Sequence, residues 1–126
     1  MSRIKRSDIK DSVQTVLASR NEPGMTGWIP RTDQPSTESR DSVEADLLAL
    51  RSLLEKHGDA LYGDIEKDAA LVTAARRRGH VVDLVVGRER APYNGEAGFL
   101  SWIEHNGSVI LTLAPVRELY EEVARW

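Results

Sequence analysis

The three histidines, His57, His80 and His105, are the side chains best suited to proton transfer or metal binding near neutral pH. None has a second histidine three to five residues along the chain, so no pair can ligate one metal ion from a single helix or turn. Each lies at the end of a predicted element, where surface and capping roles are common. Catalysis by histidine also needs arranged neighbours. The sequence therefore predicts no catalytic residue, no metal site and no cofactor.

Nucleophilic and phosphate-binding motifs are also missing from the sequence. The chain contains no cysteine, which excludes disulfides, thiolate zinc sites and thiol catalysis. No serine lies in a G-x-S-x-G setting. The glycines at 95–98 lack the Lys-Ser/Thr ending of a phosphate loop and precede a predicted strand. A small enzyme of unknown class is accordingly the second alternative function.

Arg76, Arg77 and Arg78 form the densest basic cluster, at the end of a helix predicted over 64–78. Cations there stabilise the last helical turn through the macrodipole, which explains the cluster without a ligand. The same guanidinium groups could instead contact nucleic-acid phosphates. Basic residues near the N-terminus would then join them, namely Arg3, Lys5 and Arg6.

A small winged-helix-like DNA-binding regulator is the main alternative function, because the predicted helices precede a β-hairpin. Two observations weigh against it. Acidic residues lie near the end of the helix that would read bases, namely Asp64, Glu66 and Asp68. The formal net charge is −3, which does not favour a surface built for phosphate contacts.

A short apolar island at 25–30 interrupts a polar, turn-rich segment between about residues 20 and 40. Segments of that composition gain nothing from a tryptophan beside an isoleucine while they stay solvated. A buried tryptophan removes roughly 150–250 Å² from water, so Met25, Trp28 and Ile29 are expected to dock onto a surface. That surface belongs either to this chain's own core or to another chain.

The island must be positioned by the elements on either side. Apolar residues at helical spacing predict an amphipathic helix over 7–19, namely Ile9, Val13, Val16 and Leu17. A helix of about 13 residues is marginal in water, so this stripe must pack on something.

Two further helices are expected. The first begins near Asp41, which can cap it with Glu44 three residues on, and ends at Gly58. The next covers 64–78, with Asp59 or Asp64 as its cap, and stops at Gly79.

Three strands then follow. The β-branched stretch 80–87 is apolar on both faces, which is typical of a central or covered strand. Asn106-Gly107 predicts a hairpin that pairs 98–105 with 108–114 across a two-residue turn. One face of the hairpin would carry the pairs Leu100–Leu113, Trp102–Leu111 and Glu104–Val109. The other would carry Phe99, Ile103 and Ile110.

A closing helix is expected over 115–126, because Pro115 is preorganised for a helix start. Its stripe would comprise Val116, Leu119, Tyr120 and Val123. A terminal Trp126 is costly when fully exposed, so we expect it to pack under the hairpin or against another subunit.

The expected fold is α+β: an N-terminal helix and extended arm, two helices, a three-stranded antiparallel sheet and a C-terminal helix. Residues 1–40 would form the helix and arm, and residues 41–126 a compact domain. The favoured function is non-enzymatic protein–protein interaction or assembly through the N-terminal arm. The partner would be a protein or a second copy, contacted by Met25, Trp28, Ile29, Phe99, Ile103, Ile110 and Trp126.

The expected setting is the cytoplasm of a bacterial cell, or a phage particle. Arg far outnumbers Lys, a codon-driven bias typical of high-GC bacteria and their phages. The first residues lack the hydrophobic run of a signal peptide, and no stretch of the chain predicts a membrane-spanning helix. Nucleic acid stays the less favoured partner.

Overall fold

A layer of helices covers one face of a four-stranded antiparallel sheet in the computed structural model, which describes residues 4–20, 31–92 and 95–126. The elements in chain order are α1 (Arg6–Ser19), α2 (Arg40–His57), α3 (Gly63–Arg77), β1 (Asp83–Glu89), β2 (Phe99–His105), β3 (Ser108–Ile110), α4 (Val116–Leu119) and β4 (Tyr120–Arg125). The strand order is β3-β2-β1-β4, and all neighbouring pairs are antiparallel. The α+β class is confirmed, with four strands where the sequence predicted three.

Helix α3 lies against the sheet, and α1 and α2 both pack on α3. The apolar stripe of α1 takes part in this packing. Its residues Ile9, Val13 and Val16 are buried in one cluster with residues of α2, α3 and the sheet. Among the described residues the core therefore continues across the boundary expected near residue 40.

The start of α2 differs from the capping expected from its sequence. The Ser39 hydroxyl, rather than Asp41, accepts the hydrogen bond from the backbone N–H of Ser42 at 3.2 Å. Glu44 instead bonds Arg40, its neighbour one turn earlier. The helix ends at Gly58 as the sequence predicts.

The hairpin has the expected turn and register at its tip. Asn106 and Gly107 have φ values of 49° and 77°, and His105 pairs with Ser108. The pairing ends at Ile110, because Leu111 takes a φ of 69° that turns the chain out of the strand. The expected pairs of Trp102 with Leu111 and Leu100 with Leu113 therefore do not form.

The C-terminal helix is the element that the sequence predicted incorrectly. Only Val116–Leu119 is helical, and Tyr120–Arg125 forms β4 along the free edge of β1. The middle of β1, residues 84–87, is buried, and its backbone N–H and C=O groups need partners that a terminal helix could not supply. Tertiary pairing therefore overrides the local helical pattern.

Candidate functional site

The residues expected to contact a partner are distributed over different parts of the structure. Ile103 and Ile110 are buried beneath the helices, which corrects the expectation that they line a spare sheet face. Phe99, at the start of β2, is more than half exposed. Met25, Trp28 and Ile29 lie outside the described residues, as does Arg3 of the alternative nucleic-acid surface.

The opposite sheet face is covered by the chain between β3 and β4. Val85 of β1, Trp102 of β2 and Val116 of α4 form a second small apolar cluster there. The Trp102 side chain lies close to the β1 backbone at Gly87, where a Cβ atom would lie 2.6 Å from the indole ring. This cluster on the second face is therefore covered from within the chain.

Glu104 is buried on this second face, with 1% of its surface exposed. Its carboxylate accepts hydrogen bonds from Trp102 Nε1 at 2.8 Å, Arg117 Nη2 at 2.6 Å and Arg125 Nη2 at 3.0 Å. Burial alone would raise the pKa of Glu104, but these hydrogen bonds outweigh it and the pKa is lowered. Glu104 is therefore an anion in a fixed position. Its hydrogen bonds link α4 and β4 to β2.

Arg76 belongs to the same end of the sheet, and its side chain is buried. Its guanidinium donates to the carbonyl oxygens of Val82 at 3.1 Å and Trp126 at 2.7 Å, and lies 3.7 Å from Asp83. Burial lowers the pKa of Arg76. This residue fixes the C-terminal residue to the sheet and is not placed to meet nucleic-acid phosphates.

The other residues of the basic cluster face α1. Arg77 donates to the Thr15 hydroxyl, and Arg78 lies 3.2 Å from Asp8 and 3.7 Å from Asp46. These contacts place the start of α1, with the exposed Lys5 and Arg6, at the same end of the molecule. Acidic neighbours offset much of the local positive charge there.

His80 and His105 are buried rather than exposed. His80 Nδ1 lies 2.8 Å from Glu38 Oε2, and its Nε2 lies 2.7 Å from Asp46 Oδ2. His105 is also buried, and its Nε2 has no hydrogen-bond partner among the described residues. The His80 contacts join the segment before α2 to the end of α3, which is a structural role.

A groove of about 580 Å³ lies between α2, α3 and the start of β2. Its apolar lining is supplied by Leu54, Leu61, Leu71 and Leu100. A second hollow of about 270 Å³ on the hairpin side shares with it Arg51, Asp68, Leu71 and Ser101. The groove falls within the size range of small-molecule sites.

Asp68 stands where the two hollows meet. Its Oδ2 accepts a hydrogen bond from the buried Ser101 hydroxyl at 2.6 Å. Burial raises the pKa of Asp68 to about 6, and the Ser101 hydrogen bond and the Arg51 charge offset it only in part. A carboxylate held in this state can pair with a cation or exchange a proton near neutral pH.

Sequence reasoning missed Asp68 and Ser101 as partners. The usable signal was a polar residue inside an apolar pattern, since Ser101 interrupts β2 and Asp68 directly precedes the buried Ala69 of α3. Their meeting depends on how α3 crosses β2, which no local pattern encodes.

A second exposed feature lies at the start of α3 and the end of β4. We call this feature the Trp126 patch, and it consists of Arg20, Tyr62, Ile65 and Trp126. The Arg20 guanidinium stacks 3.7 Å from the centre of the Tyr62 ring and bonds Glu66. Tyr62 is 74% exposed and Trp126 39% exposed.

An apolar hollow of about 200 Å³ opens inside the Trp126 patch, floored by Val16, Ala69 and Leu84. Trp126 is held in place there, because its backbone exchanges two hydrogen bonds with Leu84. The terminal residue thus packs beside α1 and α3, rather than under the hairpin as one expectation had it.

Comparison of the chain with protein-family models, with curated proteins and with solved structures found no match in any of the three. No helix within the described ranges is long and apolar enough to cross a membrane. In the same ranges, no group of three or more His, Asp or Glu side chains is arranged to hold a metal ion.

Proposed function

We propose that this chain is a non-enzymatic protein–protein interaction or assembly protein that docks through its N-terminal arm and the Trp126 patch. The observation that carries the proposal is the apolar hollow between Ile65 and Trp126, two large side chains that remain more than a third exposed. A fixed tryptophan beside an open apolar hollow is suited to receive an apolar side chain from a partner.

The composition of the patch supports this proposal. Arginine, tyrosine and tryptophan are the residue types enriched at the energetic centres of protein interfaces. Arg20 and Tyr62 are already ordered against each other, so less side-chain entropy is lost on binding. Arg20 also directly precedes the arm in the sequence.

The sheet edges are less suitable for docking. Strand β3 has only three residues, and β4 has an irregularity between its pairings with Val86 and Gly87. Strand β4 also carries the exposed residues Glu121 and Glu122. Short strands, bulges and charges are the devices that prevent pairing with another strand.

A DNA-binding regulator remains the alternative, and the placement of the basic cluster weakens it. Arg76 is buried, and Arg78 lies beside Asp8 and Asp46. Binding to duplex DNA at physiological salt that is lost on changing Arg77 and Arg78 to Ala would favour the alternative. Such binding must also weaken steeply with salt.

The first partner to test is a second copy of the chain. Sedimentation velocity over a wide concentration range should show self-association, and Trp126→Ala should weaken it at least tenfold, as expected for an interface anchor. Leu113→Ala is the matched control, because Leu113 is fully exposed away from the patch. A chain that stays monomeric at every concentration would contradict self-assembly.

Trp28→Ala tests the arm separately. If the arm docks in trans, this variant loses self-association and keeps the melting temperature of the monomer. Unchanged association with a lowered melting temperature would show instead that the island completes this chain's own core.

A further inference from the structure

The groove beside Asp68 has features that an assembly role does not require. It is separate from the Trp126 patch, since the residues that line the two have no member in common. Its lining combines buried leucines with exposed charged groups and the half-buried carboxylate of Asp68. That combination is typical of a site that fixes one polar end of a small molecule and covers the remainder.

We propose that this groove binds a small organic cation, with an ammonium group paired to Asp68 and an aliphatic body on the leucine floor. The charges around the groove favour this class of ligand. The acidic lining residues are Glu55, Asp59, Asp64 and Asp68, against Arg51 and Lys67 as the basic ones. An organic anion would meet the reverse balance.

The position of Asp68 sets the shape of the ligand. The residue lines both hollows, so an ammonium group at its carboxylate has apolar surface on two sides. Leu54 and Leu61 line the larger hollow, Ile110 and Leu111 line the smaller one, and Leu71 lines both. An unbranched aliphatic chain of a few carbons fits that floor better than a compact or highly polar cation.

The Ser101 hydroxyl leaves Asp68 with capacity for a further partner. A carboxylate has two oxygens and about four lone-pair sites, and the hydroxyl bonds one oxygen. Ser101 also fixes the carboxylate orientation, because it lies on the rigid strand β2. Burial disfavours the charged form of Asp68, and a ligand ammonium paired with the carboxylate would stabilise that form.

The backbone next to the groove is strained at one residue. Leu111 lines the smaller hollow with a φ of 69°, a conformation uncommon for a residue that is not glycine. Strain of this kind is often retained near binding sites. It keeps the chain beyond β3 clear of the path that continued hairpin pairing would take.

The test uses hexylammonium as the probe, with hexanoate and 1-hexanol as matched compounds of equal chain length. Amide chemical-shift changes in the full chain at pH 7.5 and low ionic strength report both affinity and location. Hexylammonium should bind at least tenfold more tightly than either other compound, with shifts centred on Leu71, Leu100 and Ser101. Equal binding of all three, preferred binding of hexanoate, or shifts located elsewhere would overturn the proposal.

Substitutions distinguish an ion pair between the ligand ammonium and Asp68 from general attraction of the ligand to the negative charge of the groove. Asp68→Asn should weaken hexylammonium binding at least tenfold, while Asp68→Glu should retain most of it. Asp64→Asn removes the same charge from the rim and should change the affinity less than threefold. Equal losses in the Asp68 and Asp64 variants would contradict the specific pairing.

The pH profile gives an independent readout. Affinity for hexylammonium should fall by tenfold or more between pH 7.5 and pH 5, as Asp68 takes up a proton. The other charged groups facing the groove are Arg51 and Glu55 on α2, Asp59 in the following loop, and Asp64 and Lys67 on α3. The Asp68→Asn variant should show a flat profile over that range, and an unchanged pH dependence in this variant would overturn the assignment.

Discussion

At the scale of single residues, two carboxylates beside β2 lie in opposite electrostatic environments. Glu104 accepts hydrogen bonds from two arginines and a tryptophan, whereas Asp68 accepts one from a serine. Burial disfavours the charged form of both groups, but only Glu104 has enough donors to reverse that effect. Glu104 therefore stays ionised, whereas Asp68 is ionised at neutral pH but takes up a proton on mild acidification.

Glu104→Gln should destabilise the fold by about 2–4 kcal/mol at pH 7, because it leaves Arg117 and Arg125 without their shared anion. Since the folded pKa of Glu104 is lowered, its contribution is present above the unfolded pKa and is lost as pH falls through the folded pKa. Urea unfolding at several pH values measures this. Glu121→Gln, on the exposed face of β4, should change stability by less than about 0.5 kcal/mol.

Asp68→Asn should have the opposite effect and stabilise the chain at pH 7 by about 1 kcal/mol or more. The folded pKa of Asp68 is raised to about 6 from 3.8, so its contribution is fully present below 3.8 and is lost as pH rises through 6. The variant and the wild type should therefore have equal stability near pH 3.5 and separate as the pH increases. Asp11→Asn, exposed on α1, is the control. A destabilised Asp68→Asn chain at pH 7 would contradict this account.

At the scale of elements, the packing of the second sheet face depends on how closely side chains of β2 and β4 approach β1 at Gly87. Gly87 lies in the middle of β1, and Trp102 and Tyr120 close over it from the neighbouring strands. The lack of a side chain at this position lets the Trp102 ring lie close to the β1 backbone. The bulge that follows in β4 is adjacent to the same place.

Gly87→Ala should cost about 1–3 kcal/mol, the usual range for overpacking a tight site. A Cβ atom at this position would lie 2.6 Å from the Trp102 ring and 2.9 Å from Tyr120 Cβ. Thermal unfolding followed by Trp fluorescence measures the loss. Gly98→Ala is the matched control, because its Cβ would meet only the carboxylate at the end of the Glu89 side chain, at 3.2 Å. Equal effects of the two changes would show that the close packing is not the cause.

At the scale of the whole molecule, α1 is part of the core rather than a detached arm. Ile9 is fully buried, and Ser12 beside it satisfies its hydroxyl on the Ile9 carbonyl at 2.8 Å. Contacts at both ends of α1, through Asp8 with Arg78 and through Arg20 with Glu66, fix the helix along α3. A change in α1 must therefore affect the stability of the entire fold.

Ile9→Ala should lower the free energy of unfolding by about 2–5 kcal/mol, through lost burial and the cavity left behind. Leu48→Ala, at a position of α2 that is 44% exposed, should cost much less. Hydrogen exchange of the α3 amides in the Ile9→Ala variant shows whether α1 unfolds together with the rest of the fold or independently of it. If α1 packs as described, α3 loses protection together with the sheet. Loss confined to α1 amides would show that the helix unfolds independently.

The candidate site was only partly accessible from the sequence. The sequence reasoning selected Trp126, and the structure places it on an exposed apolar patch. It also selected Ile103 and Ile110, which are core residues, because an apolar residue on a strand shows that it is buried but not what covers it. Asp68 and Ser101 were missed, since their contact joins α3 to β2 across 33 positions of sequence.

The sequence by itself determined the features that depend on neighbouring residues. Helical spacing fixed α1, α2 and α3, and Asn106-Gly107 fixed the turn and the first pairs of the hairpin. Only the tertiary structure decided that Tyr120–Arg125 is a strand, because the unpaired edge of β1 supplies the hydrogen bonds that select it. It also decided that Glu104 is held by Arg117 and Arg125, since burial and distant charges have no local sequence signature.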